Sequence, residues 1–127
     1  MAIKRRILII EDEKPLREAF VYLLESEGFA VAAAENGRIG LAKLKSFQPN
    51  LILLDMLMPV MDGETFLRKA ALPVKHPHIK TLMLSNLSDP VTFEEAYTYG
   101  VTDSVLKADL SPAELAAVAK KMLAVSK

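Results

Sequence analysis

The sequence predicts an α/β fold, a five-stranded parallel sheet covered by helices on both faces. Two observations carry this. Short apolar runs, Ile7–Ile10, Leu51–Leu54, Thr81–Leu84 and Ser104–Leu106, suit strands that are buried on both faces. Between them lie amphipathic stretches with helical spacing, and such alternation implies parallel strands joined by helical crossovers.

The first strand is Ile7–Ile10. In the first helix Leu16, Ala19, Phe20, Leu23 and Leu24 recur at helical intervals, with Pro15 near the start and Gly28 placed to end it. Phe29–Ala34 is mostly alanine and gives the weakest strand signal. Ile39, Ala42 and Leu44 predict a second helix, closed by the Gln48-Pro49-Asn50 turn. After the strand Leu51–Leu54, a third helix is expected over Glu64–Ala71. The strand Thr81–Leu84 precedes a fourth helix over Pro90–Tyr99, ending at Gly100. Following Ser104–Leu106, Ser111-Pro112-Ala113-Glu114 forms a capping box with proline at the first helical position. That fifth helix turns Leu115, Val118, Met122 and Leu123 inward.

The length of 127 residues fits one domain over residues 1–127. A chain of this size buries roughly two-thirds of its unfolded surface without help from a metal or a disulfide. Cysteine is absent, which excludes disulfide and thiolate chemistry. Sixteen basic residues balance sixteen acidic ones, so direct nucleic-acid binding is not expected. Lys4-Arg5-Arg6 and Lys120-Lys121 accordingly read as solvated faces. His76 and His78, set among prolines, read as solvated linker rather than as a metal pair. No run approaches the roughly 18 apolar residues of a membrane helix. The opening MAIKRRILII meets acidic residues too soon for a secretory signal, so a cytoplasmic location is expected.

In parallel α/β sheets, ligands collect at the carboxyl ends of the strands. There the first strand runs into Glu11-Asp12-Glu13, the third ends in Asp55, the fourth in Ser85 and the fifth in Lys107. Each has a plain explanation alone: solvated charge, helix-start charge or a strand-end hydroxyl. Asp55 is harder to explain so, because a carboxylate directly after four apolar residues is costly unless paired. Their conjunction at one edge is the signal. Clustered carboxylates repel unless protonated or neutralised, and with no nearby His or Cys the fitting neutraliser is a hard cation such as Mg²⁺. A carboxylate nucleophile with Mg²⁺, a lysine and a hydroxyl is the equipment for forming an aspartyl phosphate.

These residues closely resemble the receiver domains of two-component response regulators, along essentially the whole chain. IIEDE, LILLDMLMPVMDG, LMLSNLSD and AYTYGVTDSVLKADL carry the resemblance, and Asp55, Pro59, Asp62 and Gly63 form its most specific string. The resemblance implies a flavodoxin-like (βα)5 fold with strand order 2-1-3-4-5. It implies that Asp55 accepts a phosphoryl group from phosphohistidine on a sensor histidine kinase or a histidine phosphotransfer protein. Asp12, Asp55 and the Leu57 backbone carbonyl would bind Mg²⁺, with Glu11 acting through water. Ser85 matches the switch hydroxyl and Lys107 the lysine that pairs with the phosphorylated aspartate. The expected role is a phosphorylation-dependent switch acting on a downstream protein. Such a chain is not an enzyme beyond its own phosphorylation and dephosphorylation, and is a monomer or weak dimer.

Two positions depart from the family. Ala108 replaces the usual proline, and a cis bond before a non-proline residue costs about 2.5–4 kcal/mol, so Lys107–Ala108 is expected to be trans. Ser104 replaces the aromatic residue that swings inward on activation. Tyr97, spaced with Phe93 and Ala96, is expected on the inner helix face as packing, which leaves output to the loop after Ser85. Asn86 adds bulk beside the hydroxyl. Leu57 and Leu87 cannot orient an attacking water, which implies slow self-hydrolysis. The main alternative is a pseudo-receiver that docks partners without phosphorylation. A Mg²⁺-dependent aspartate phosphatase would need an acid where Leu57 stands, and a flavin mononucleotide carrier would not place Glu11-Asp12-Glu13 at its phosphate loop.

Overall fold

The computed structural model describes residues 4–86 and 88–124; the expectation for Leu87 lies outside the described residues. The elements, in chain order, are β1 Arg6–Ile10, α1 Lys14–Ser26, β2 Ala30–Ala34, α2 Gly37–Phe47, β3 Leu51–Asp55, α3 Gly63–Ala70, α4 Leu72–Lys75, β4 Lys80–Ser85, α5 Phe93–Thr98, β5 Asp103–Leu106 and α6 Pro112–Met122. All five strands are parallel, in the order β2-β1-β3-β4-β5. Among the described residues, no helix is long and apolar enough to cross a membrane.

The period-two geometry of the strands splits their side chains between two cores. Leu8, Ile10, Ile52, Leu54 and Met83 face α2 to α5, where Leu44, Phe66, Leu67 and Leu72 cover them. Ile7, Ile9, Leu51, Leu53, Leu82 and Leu84 face α1 and α6, against Phe20, Leu24, Leu115 and Ala119. Both sides of β1 and β3 are therefore closed, which is why their sequences are apolar without alternation. The alanine-rich β2 does form, at the sheet edge and only half-buried, where small side chains cost little. Gly28, at φ +97, ends α1 in a conformation other residues rarely adopt.

Caps explain the helix starts. Asn36 accepts a hydrogen bond from the Ile39 N–H at 2.9 Å, and Asp62 from the Thr65 N–H at 2.8 Å. Thr92 with Glu95 and Ser111 with Glu114 form capping boxes. The expected helix over Pro90–Tyr99 is thus shorter, because Thr92 caps it at Phe93. The third helix stops at Ala70 rather than Ala71. Ala71 turns left-handed at φ 49, and Pro73 cannot extend α3 because its ring would clash with the preceding turn.

Tyr97 requires correction. It is 65% exposed and stands beside Phe93, with ring centroids 6.2 Å apart, on the outer face of α5. Ala96 alone of that trio points inward, so Tyr97 is not core packing. The basic cluster at the amino end is also less free than its composition implies. Arg5 donates to the Leu123 carbonyl at 2.7 Å, and Arg6 donates through Nε to the carbonyls of Phe47 and Gln48 at 3.0 and 2.8 Å. These arginines tie β1 to the carboxyl ends of α6 and α2, where helix carbonyls are otherwise unsatisfied. His76 and His78 line an open groove of about 700 Å³ beside the amino ends of β4 and β5, with Tyr97 on its rim.

Candidate functional site

The parallel sheet brings the carboxyl ends of β1, β3, β4 and β5 to one edge, and the chemistry-bearing residues lie there. Glu11 and Asp12 follow β1, Asp55 is the last residue of β3, Ser85 ends β4 and Lys107 follows β5. Since β1 and β3 are neighbours, Glu11 and Asp12 lie beside Asp55. Each of Glu11, Asp12 and Asp55 offers an oxygen within 4.8 Å of the others, so the cluster could hold a metal ion.

Glu11 is fully buried and Asp55 is 1% exposed, which is rare for carboxylates without compensation. Their partner is Lys107. Its ammonium lies 2.9 Å from the Glu11 carboxylate, 3.3 Å from Asp55 Oδ2 and 2.7 Å from Glu13 Oε1. Both Glu11 carboxylate oxygens lie 2.9 Å from the Lys107 ammonium, and Oε2 also accepts a hydrogen bond from the Glu13 N–H at 3.0 Å. Asp55 Oδ1 accepts a 3.3 Å bond from the Leu57 N–H. Three carboxylates whose oxygens converge within 4.8 Å, with no His or Cys in the group, fit a hard, oxygen-seeking cation.

The charges show in the proton affinities. Burial pushes the Asp55 carboxyl up to about 8, reinforced by the Glu11 charge and by a hydrogen bond with Asp12. Lys107 and the Leu57 N–H pull it down, but less strongly. Burial likewise raises Glu11 above the usual carboxylate range. Burial alone would lower Lys107, yet its bonds to Glu13 and Glu11 hold it above the ordinary lysine value, so it is charged.

Loop geometry holds Asp55 in place. Gly63 starts α3 and packs directly on β3; a Cβ there would meet the Asp55 carbonyl at 2.9 Å and Met56 Cα at 2.8 Å. The Gly63 N–H donates to the Met56 carbonyl at 3.1 Å. The Asp55-Pro59-Asp62-Gly63 spacing thus has a packing cause: Asp62 caps α3 while Gly63 lets it approach the strand end. Arg17 reaches back from α1 to the carbonyls of Glu11 at 2.9 Å and Asp12 at 3.3 Å, fixing the acidic loop. Spacing gives no hint of that clamp, because it depends on how α1 folds over β1.

The structure brings together Glu11, Asp12, Asp55 and Lys107. Ser85 stands apart chemically: its hydroxyl donates to the Val105 carbonyl at 3.1 Å, across the β4–β5 pair. Leu57 is exposed beside Asp55. Every described peptide bond is trans, Lys107–Ala108 included, and Lys107 opens a 3-10 turn through Asp109. Replacing proline with Ala108 therefore does not keep the ammonium from the carboxylates. Glu13, the third acidic residue, has a specific lysine contact that spacing does not assign to it.

A family model described as the response regulator receiver domain matches residues 7–120. The transcriptional regulatory protein CseB of Streptomyces coelicolor is 32% identical over 107 residues, covering 84% of this chain and 44% of CseB. The phosphate regulon transcriptional regulatory protein PhoB of Escherichia coli is 32% identical over 119 residues, covering 94% of this chain and 52% of PhoB. The chain spans about half the length of these curated relatives. Among solved structures, the chemotaxis protein CheY4 of Vibrio cholerae superposes with TM-score 0.82 at 26% identity, over 95% of this chain and 100% of that one. A CheY-like receiver domain protein of Methanospirillum hungatei gives TM-score 0.83 at 28% identity, over 95% and 94%. With β2-β1-β3-β4-β5 order, an acidic cluster at the strand ends and these matches, the chain belongs to the response regulator receiver domains, the phosphorylation-dependent switches of two-component signalling.

Proposed function

We propose that Asp55 is the phosphoacceptor of this switch, and that its phosphoryl donor is a phosphohistidine on a sensor histidine kinase or a histidine phosphotransfer protein. One observation carries this: a buried carboxylate at a strand end, 3.3 Å from an ammonium and inside a group of three carboxylates able to hold a cation. In the transfer, an Asp55 oxygen attacks phosphorus, a P–O bond forms, and the P–N bond to the imidazole breaks. The imidazole nitrogen keeps the bonding electrons and takes up a proton from solvent.

Asp12, Asp55 and the Leu57 carbonyl would hold Mg²⁺ directly, with Glu11 acting through water. When bound, Mg²⁺ supplies charge neutralisation for the clustered carboxylates and the phosphoryl oxygens. The remaining work belongs to the chain. Lys107 neutralises charge at the Asp55 side. Ser85 would exchange its bond to the Val105 carbonyl for one to a phosphoryl oxygen, which frees the β4–β5 backbone to adjust. Since that exchange begins at β4, the loop from Asn86 onward would carry the signal to a downstream protein. This reading makes the chain a signalling module rather than an enzyme acting on other substrates. It is expected to be cytoplasmic, a monomer or weak dimer, and free of direct contact with nucleic acid.

The test is incubation with Mg²⁺ and a small phosphoryl donor such as acetyl phosphate, or with beryllofluoride. With acetyl phosphate wild type should gain one phosphoryl mass, and with either reagent NMR shifts should spread from Asp55 to Ser85 and Asn86. Asp55→Asn should show neither. An adduct that persists in Asp55→Asn would move the acceptor elsewhere, and no adduct in wild type would leave a phosphorylation-independent docking module as the better reading.

A further inference from the structure

We propose that Glu13 is a positioning residue for Lys107, holding its ammonium at the site while a divalent cation occupies Glu11, Asp12 and Asp55; this rests on the metal reading above. Lys107 touches three carboxylates, and Glu13 is the nearest, at 2.7 Å against 2.9 Å for Glu11 and 3.3 Å for Asp55. The other two belong to the group able to hold a cation. Glu13 does not. A cation in that group takes up the charge that now holds the lysine, and the two positive centres repel each other.

Lys107 then needs a different anion, because its side chain is only 12% exposed and an unpaired ammonium there is costly. Glu13 suits that role on three counts. It is already in contact, it lies outside the cation-holding group, and it is 61% exposed, so it can follow the ammonium without further desolvation. Its backbone also serves the site, since the Glu13 N–H donates to Glu11 Oε2 at 3.0 Å. One residue therefore fixes Glu11 through its main chain and Lys107 through its side chain. By keeping the lysine charged and close, Glu13 lowers the cost of admitting the cation and leaves the ammonium beside Asp55.

Glu13 could instead attract the cation simply as a nearby negative charge, and the experiment separates the two. Mg²⁺ alone is titrated into purified protein and followed by amide NMR, in wild type, Glu13→Gln, Glu13→Asp, Lys107→Met and the Glu13→Gln/Lys107→Met double variant. Glu13→Gln should weaken Mg²⁺ binding about two- to fivefold, the range of a partly exposed ion pair. Glu13→Asp should recover part of the loss. In the Lys107→Met background, Glu13→Gln should change nothing measurable. Equal weakening in both backgrounds would overturn the proposal in favour of direct charge attraction, and so would unchanged affinity in Glu13→Gln.

A second readout uses the lysine itself. The Lys107 ammonium resonance should remain slow to exchange in Mg²⁺-saturated wild type, and should broaden away in saturated Glu13→Gln. Its loss in saturated wild type would overturn the proposal without reference to any affinity. Failure of the metal reading looks different: wild type would show no saturable shifts around Asp55, or Asp12→Asn would retain them.

Discussion

At Asp55, burial and charge oppose each other most strongly, and the outcome is measurable as a pH dependence of stability. Its carboxyl is raised from 3.8 to about 8, chiefly by burial and by the neighbouring Glu11 charge. A carboxyl raised on folding binds its proton more tightly in the folded state than in the unfolded chain. Its stabilising contribution is therefore complete below 3.8 and is lost as pH rises through about 8. Metal-free protein should accordingly lose stability between pH 5 and pH 8, on the order of a few kcal/mol. Asp55→Asn removes the ionisation while Lys107 keeps Glu11 and Glu13. That variant should flatten the slope and be more stable than wild type at pH 8 by about 1–3 kcal/mol. Urea unfolding in the presence of a chelator, at both pH values, checks this. An equally steep slope in Asp55→Asn would assign the effect to other groups.

Among the elements, the loop joining β3 to α3 carries backbone strain. Val60 sits there at φ 70, a left-handed conformation that a β-branched residue adopts only at a cost of about 1–2 kcal/mol. Its side chain is exposed, so little burial offsets that cost. Val60→Gly should therefore stabilise the protein by about 0.5–1 kcal/mol, after the greater unfolded-state entropy of glycine is subtracted. Thermal unfolding measures it, and a less stable Val60→Gly would show that the loop is not strained. Val60 also marks where the sequence stops being informative. The β1 and β3 runs are legible because strands closed on both faces must be apolar throughout, and α6 is legible because its capping box is local. Left-handed Val60 gives no local signal, since it is not glycine, whereas the helix ends at Gln48 and Ala71 are marked only by the nearby Pro49 and Pro73. Six-residue α5 is too short for its spacing to decide which face Tyr97 takes. The same distinction governs the site. Asp12, Asp55 and Lys107 are legible because parallel strands deliver their carboxyl ends to one edge. The Ser85 bond to Val105 and the Glu13 bond to Lys107 depend on strand register and side-chain path, which spacing does not carry.

For the whole molecule, the site is a clasp across the sheet. Glu11 and Asp12 follow β1 and Asp55 ends β3, whereas Lys107 follows β5, on the far side of β4. The ammonium therefore joins strands that share no hydrogen bonds, and the two helical layers meet on that one sheet. A cation bound to the folded cluster has no comparable site in the unfolded chain, where the carboxylates are far apart and hydrated. Binding must then stabilise the fold as a unit, by ~1–3 kcal/mol when Mg²⁺ exceeds its dissociation constant ten- to a hundredfold. For a domain of this size that corresponds to a rise of roughly 3–10 °C in Tm. The gain should be larger at pH 8 than at pH 5, because the proton on Asp55 competes with the cation for the same oxygens. Asp12→Asn removes one ligand without touching the lysine contacts and should abolish most of the gain at both pH values. Differential scanning calorimetry with Mg²⁺ and with chelator measures all four conditions. An unchanged gain in Asp12→Asn would mean that the cation stabilises some other surface and that the strand-end cluster is not its site.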